Sequence, residues 1–223
     1  MSIRRAIDRT LFQRLGLGHL TWPIFGTTVS IGDSARDGTA GSELSGLGNL
    51  LERYALRLSD YQYVEEAPTV DVEFEYDVER QGSLAAATKG QTPGTVKLRF
   101  STQDAFYLFV PAARVRSIRD VDRLARDIDA RSRALGDRVG LLQRIVYKTI
   151  AAEGEGLLLV SRSREAQVQV SIGFGPDGRS TLTLGESSGE LLQQRVDTSS
   201  SVFAFSVFRL ALGPRRYVLD PPS

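Results

Sequence analysis

"TVDVEFEYDVER", Thr69 to Arg80, alternates without a miss. Val70, Val72, Phe74, Tyr76 and Val78 fall on one side, and Asp71, Glu73, Glu75, Asp77 and Glu79 on the other. A period of two belongs to a β-strand with one covered face and one wet face. Further along, "VKLRFS" (96–101) resumes the alternation with Lys97 and Arg99 on its polar side. Antiparallel pairing of the two would set those cations against the acidic side of the first strand. Between them, "GSLAAATKGQTPGT" (82–95) is small and turn-rich and reads as a mobile insertion. "AFYLFVPAARV" (105–115) is more apolar and therefore more deeply placed.

The C-terminal third continues in the same manner. "GLLLVSR" (156–162), "AQVQVSIGF" (166–174), "STLTL" (180–184), "VFAFSVFRLAL" (202–212) and "RYVLD" (216–220) all read as strands. "GPDGR" between the second and third is a hairpin turn. Both sides of Val202–Leu212 are mostly apolar, which predicts a core strand covered on both faces.

Three stretches have helical spacing. In residues 2–15, Ile3, Ile7, Leu11 and Leu15 recur every fourth position, with Ala6 and Phe12 in support and Arg4, Arg5, Arg9 and Arg14 over much of the remainder. Such a helix either packs on a core or meets anionic lipid. Ser42 can cap a second helix over residues 43–61. From Ile118 to about Glu153, apolar residues three and four apart predict a long charged helical region, weakened by Gly136 and Gly140. The expected fold is α+β: a single domain over 1–223, with a mainly antiparallel twisted sheet covered by several helices.

Composition narrows the function. The 223 residues carry 28 basic and 27 acidic groups, so overall charge draws the chain to no nucleic acid. The lack of cysteine removes disulfides, thiolate metal sites and a cysteine nucleophile, and His19 is the single histidine, read as a loop residue. The carboxylate pairs Glu65–Glu66 and Asp120–Asp122 sit in polar stretches that solvation explains. Neither "GLGNLL" nor "GFGPDG" makes a phosphate loop, because no lysine with serine or threonine follows. The expectation is a protein that is not an enzyme, without cofactor or metal. No apolar run reaches the roughly 18 to 20 residues of a membrane-spanning helix, so the chain is expected in the cytoplasm.

Four stretches kept in order carry a resemblance. They are "IRRAIDRTLFQRLG", "WPIFGTTVSIGD", the helical "VDRLARDIDARSRALGDRVGLLQRIVYKTIAAE" running into a strand, and "VFAFSVFRLALGPRRYVL". Together they resemble the pore-forming domain of gasdermins, including bacterial members, in topology more than in residue identity. The resemblance implies a protein that rests in soluble form and, once released, oligomerises into a β-barrel pore in anionic membranes, moving from cytoplasm to the inner membrane face, in a setting of cell death or bacterial defence. It implies Arg4, Arg5, Arg9 and Arg14 for lipid headgroups, and Ile7, Leu11, Phe12, Trp22, Ile24 and Phe25 for insertion. It also implies an activating protease or an inhibitory partner, with residues 213–223 as a short regulatory tail. Bacterial members typically bear a lipidated cysteine near the N-terminus, which this chain lacks. Pore hairpins need strands of about nine to eleven residues with one apolar and one polar face. Val70, Val72, Phe74 and Tyr76, and Val168, Val170 and Ile172, meet that pattern. A second reading is a scaffold that docks a protein through helix 118–153; an enzyme with an unrecognised carboxylate site stands third.

Overall fold

The computed structural model describes residues 19–20, 29–36, 48–66, 70–137, 139, 143–152, 154–196, 201–211 and 217–220. In chain order the strands are β1 (His19–Leu20), β2 (Ser34–Arg36), β3 (Tyr63–Glu65), β4 (Val70–Tyr76), β5 (Val78–Gln81), β6 (Gly94–Phe100) and β7 (Phe106–Ile118). They continue as β8 (Gln143–Ala152), β9 (Gly156–Ser161), β10 (Gln167–Phe174), β11 (Ser180–Ser188), β12 (Leu191–Val196), β13 (Ser201–Leu210) and β14 (Tyr217–Asp220). The helices are α1 (Leu50–Arg53), α2 (Leu84–Gly90) and α3 (Val121–Ala134), with a 3-10 turn at Leu58–Tyr61. The paired strands whose register is described run antiparallel, as the alternation predicts.

Contacts divide the chain into two compact units, one of residues 1–67, 115–150 and 202–223 and the other of 68–114 and 151–201. In the first, β13 lies between β8 on one side and β1 and β14 on the other. Its residues Val202 to Phe208 are all buried, so the final apolar run is a core strand covered on both faces. Helix α3 buries Leu124, Ala125 and Ile128 completely, in one cluster with Ile145, Tyr61 and Phe208. Two tyrosines tie local elements to that helix and its end. The Tyr61 hydroxyl donates to Asp127 at 3.0 Å, and the Tyr54 hydroxyl donates to Asp137 at 2.8 Å. Arg53 closes on the same Asp137 at 2.6 Å. Burial first, then the Asp137 hydrogen bond, push the Tyr54 hydroxyl up to about 12. Tyr54→Phe leaves Asp137 with Arg53 alone, and should cost about 1–2 kcal/mol in chemical denaturation.

In the second unit, β4, β7, β9 and β12 form one sheet and β11, β10, β6 and β5 form another. A single cluster joins them: Tyr107, Phe109, Leu157 and Leu159 meet Val96, Leu98, Phe100, Val168, Val170 and Ile172. The cover over this core is therefore mostly strand on strand. The expected sheet covered by several helices is corrected here, since the three described helices have only 4, 7 and 14 residues. The α+β mixture and the antiparallel pairing stand.

Five local readings change, the first at His19, read as a loop residue, which lies in β1 opposite Phe205. The run Thr69–Arg80 is broken at Asp77, which sits at φ +52° and sends β4 and β5 into different sheets. Aspartate tolerates that left-handed conformation, and Asp77 also accepts the Thr102 hydroxyl at 3.2 Å. "SLAAATKG" is helix, because Ser83 caps it on the Ala86 N–H and Gln91 ends it in the left-handed region. The long helix 118–153 stops at Ala134, with Gly136 at φ +67° just beyond it. Gln143–Ala152 is strand β8, where Ile145, Val146, Thr149 and Ile150 favour extension and burial over helix. Of the helix expected over 43–61, residues 43–47 lie outside the described residues, and the described part holds one α-helical turn at Leu50–Arg53, capped by Asn49 and closed off by Ala55 at φ +51°.

Candidate functional site

The four-stranded sheet β5, β6, β10 and β11 separates apolar from polar side chains cleanly. β6 and β10 pair in continuous register from Gln167↔Arg99 to Ile172↔Gly94. Val96 faces Val170 and Leu98 faces Val168, all 3% exposed or less, so the inner face is dry. On the outer face Lys97 lies beside Gln169, and the Thr95 and Ser171 hydroxyls meet at 3.0 Å. Arg99 is the best-partnered outer cation, near Glu79 at 3.9 Å and Glu165 at 3.6 Å. β11 adds Leu182 inside and Thr181 and Thr183 outside. The β10–β11 hairpin turns at Gly175–Arg179, closed by the Gly175 N–H to the Arg179 carbonyl at 2.9 Å, as the motif predicts. Its strands have 8 and 9 residues.

Helix α2 rests on this sheet and belongs to the same apolar cluster through Leu84 and Ala87. Its position is fixed from β4. The Glu73 carboxylate, 5% exposed, accepts the Ser83 hydroxyl at 2.5 Å, the Leu84 N–H at 3.0 Å and the Ala85 N–H at 3.1 Å. It also accepts the Tyr107 hydroxyl at 2.7 Å and pairs with Arg80 at 2.8 Å. A carboxylate at a helix N-terminus satisfies donors that the helix itself leaves open. Burial works against ionisation of Glu73, yet the hydrogen bonds from Ser83, Tyr107, Arg80 and Leu84 outweigh it and hold the carboxyl below its ordinary value. Burial, then the Glu73 charge and hydrogen bond, push the Tyr107 hydroxyl well up.

The residues singled out in the sequence are distributed as follows. Arg4, Arg5, Ile7, Arg9, Leu11, Phe12, Arg14, Trp22, Ile24 and Phe25 lie outside the described residues. Val168, Val170 and Ile172 are on the dry face of the candidate sheet. Val70, Val72, Phe74 and Tyr76 are in β4, which pairs with β7 in the other sheet. There Val72 and Phe74 are buried, whereas Tyr76 is 40% exposed and stacks on Phe106 at 5.8 Å. The carboxylate pairs do not converge on a cleft: Glu65 meets Arg116, Asp120 caps α3 and Asp122 pairs with Arg126. Among the described residues no group of three His, Asp or Glu could hold a metal ion. No helix among them is long and apolar enough to cross a membrane.

Sequence reasoning missed the clamp on α2, since nothing in the alternation of Thr69–Arg80 marks Glu73 off from its acidic neighbours. It also left β6 out of the hairpin set, although the alternation in "VKLRFS" was there to be used.

No family model matches the chain, and no curated protein matches it. Two solved structures are similar to it. One is a bacterial gasdermin from Bradyrhizobium tropiciagri, at TM-score 0.40 and 13% identity, covering 96% of this chain and 90% of that one. The other is the gasdermin A3 membrane pore, at TM-score 0.32 and 10% identity, covering 99% of this chain and 95% of that one. These likenesses agree with the resemblance read from the sequence. At such scores they decide nothing further, and the functional reading rests on the strands themselves.

Proposed function

We propose that the chain forms membrane pores in the manner of gasdermins. The observation that carries the reading is the four-stranded sheet, whose apolar rows already stand apart from its polar rows. In lipid, backbone groups must be paired within the protein, so strands cross only as a closed barrel. A barrel strand needs one face for acyl chains and one for water. Val96, Leu98, Val168, Val170 and Leu182 supply the first, and Lys97, Gln169, Ser171 and Thr183 the second. In the resting fold the apolar rows are spent on the core of their own unit. Release exposes them, and β5 and β11, the ends of the sheet, are the edges through which copies of the chain join.

Anionic lipid and further copies of the chain are then the partners, with Arg4, Arg5, Arg9 and Arg14 engaging headgroups and Ile7, Leu11, Phe12, Trp22, Ile24 and Phe25 inserting. Release of residues 213–223, by a protease or by loss of an inhibitory partner, is the trigger, and the setting is bacterial defence at the inner face of the membrane. No catalytic step is involved. The scaffold reading has lost its premise, because the helix it needed ends after 14 residues.

The chain has no cysteine, so single cysteines can be placed cleanly. Dye release from anionic liposomes should follow cleavage after Leu212. An environment-sensitive fluorophore placed along β10 should then report lipid at positions 168, 170 and 172, and water at 167, 169 and 171. Liposomes that stay sealed after cleavage, or fluorescence without alternation, would overturn the proposal.

A further inference from the structure

We infer that the outer edge of β11 is a docking edge for β5 of a second copy, and that Glu155 and Arg195 keep it closed in the resting chain. In an antiparallel pair, alternate residues turn both backbone groups away from the neighbouring strand. Leu182, opposite Ile172 on β10, is such a residue. Its N–H donates to the Glu155 carboxylate at 2.7 Å, and its carbonyl accepts from the Arg195 guanidinium at 3.3 Å. The two side chains also meet each other at 3.4 Å. One acceptor and one donor, held together by opposite charge, therefore stand where a residue of an adjoining strand would stand.

The closure is built from two places in the second compact unit. Half-buried Glu155 comes from the turn between β8 and β9. Gly154 beside it brings that turn against β11: a side-chain carbon at 154 would meet Pro111 at 3.1 Å and Ser180 at 3.6 Å. Arg195 comes from β12, opposite Leu157 of β9, and β9 pairs in turn with β7. Both side chains are thus anchored on the neighbouring sheet rather than on the hairpin they close. A hairpin that leaves its unit leaves them behind, and its edge opens in the same event.

An unpaired edge is a template for a further strand, and charged side chains laid across it are one way such pairing is prevented. The occupant follows from the place of β11 in its sheet, which runs β11, β10, β6, β5. β11 of one copy on β5 of the next leaves an open edge at each end of the row, and a row of that kind can close into a ring. β11 on β11 would end at two copies. Glu79, Arg80 and Gln81 are exposed, so β5 is within reach of a neighbour. The inference rests on the reading that copies join edge to edge, and adds to it the groups that forbid the joining.

Sedimentation of the uncleaved chain, without lipid, reads the edge apart from pore formation. Glu155→Ala/Arg195→Ala frees both backbone groups of Leu182. It should self-associate at a roughly tenfold lower protein concentration than the wild type, the worth of two net hydrogen bonds. Glu155→Gln keeps an acceptor for the N–H and should associate as the wild type does. Circular dichroism checks folding. Arg195→Ala alone, opening only the carbonyl, serves with a roughly threefold shift if the double variant misfolds. No shift in either alanine variant would remove the closure, and an equal shift in Glu155→Gln would overturn it in favour of a plain charge effect. For the partner, Gln81→Cys and Thr183→Cys are placed in separate chains of the double variant, which has no other cysteine. A short bifunctional maleimide should join mostly β5 to β11; products mostly of β11 with β11 would overturn the assignment of β5. Dye release by the cleaved wild type, with no association of the alanine variants, would strike the closure and leave the pore standing. Association of those variants, with liposomes that stay sealed after cleavage, would do the reverse.

Discussion

Replacing Glu73 with alanine should lower the unfolding free energy by about 3–5 kcal/mol. Five donors converge on this carboxylate, and the substitution strands them together: the Ser83 hydroxyl, two N–H groups of α2, the Tyr107 hydroxyl and the Arg80 guanidinium. Tyr107 is fully buried and has nowhere else to donate. Glu73→Gln keeps the shape but not the charge, so the loss should be smaller. The sign of the pH dependence follows from the depressed carboxyl. Its contribution is present at and above the ordinary carboxylate range and is lost as pH falls through the lowered native value. The wild type should therefore lose stability in acid more steeply than Glu73→Gln. Urea titrations of the three proteins between neutral and acid pH measure both effects. If the proposed function holds, Glu73→Gln should also release liposome dye faster after cleavage, because α2 covers the sheet that must open.

Val170→Asp should leave no folded protein, and Gln169→Asp, one residue away, should be nearly silent. Val170 is 0% exposed opposite Val96, in the core shared by both sheets of its unit. A carboxylate there loses the burial of valine, about 1.5–3 kcal/mol. It adds an unpaired buried charge that costs several kcal/mol more, even if it is relieved by protonation. The sum approaches the whole stability of a typical domain, about 5–15 kcal/mol. Gln169 points to the other face beside Lys97, and a carboxylate there changes stability by roughly 0.5 kcal/mol or less. Expression yield and thermal melting of the two variants make the comparison. Similar behaviour of both would mean that the two faces are not distinct in the folded chain.

Much of the strand content was legible because period two survives any tertiary arrangement. Val168, Val170 and Ile172 alternate with polar residues in sequence and do so in β10. The final apolar run is likewise the covered core strand it was read to be. What alternation could not reveal was where a strand bends. Thr69–Arg80 looks unbroken, but a single aspartate at positive φ divides it between two sheets. Helix spacing failed for a related reason. Val139, Leu142 and Val146 continue the stripe of α3 in sequence, while β-branched residues after Gln143 pair as strand instead. The pairing of cations with the acidic side was half right: Arg99 does meet Glu79, though on β5, and Glu73 turns to α2. The clamp itself depends on residues 73, 80, 83 and 107, and no short window of sequence brings those four together.

Helix α2 has seven residues, three of them alanines in a row. Isolated helices of that length are not stable in water, so its coiling is on loan from the side chain beneath its first turn. Amide hydrogens of Leu84 to Thr88 should thus trade with deuterium at a pace set by how often that carboxylate lets go. Labelling this one peptide would time the opening of the fold, with no membrane in the tube.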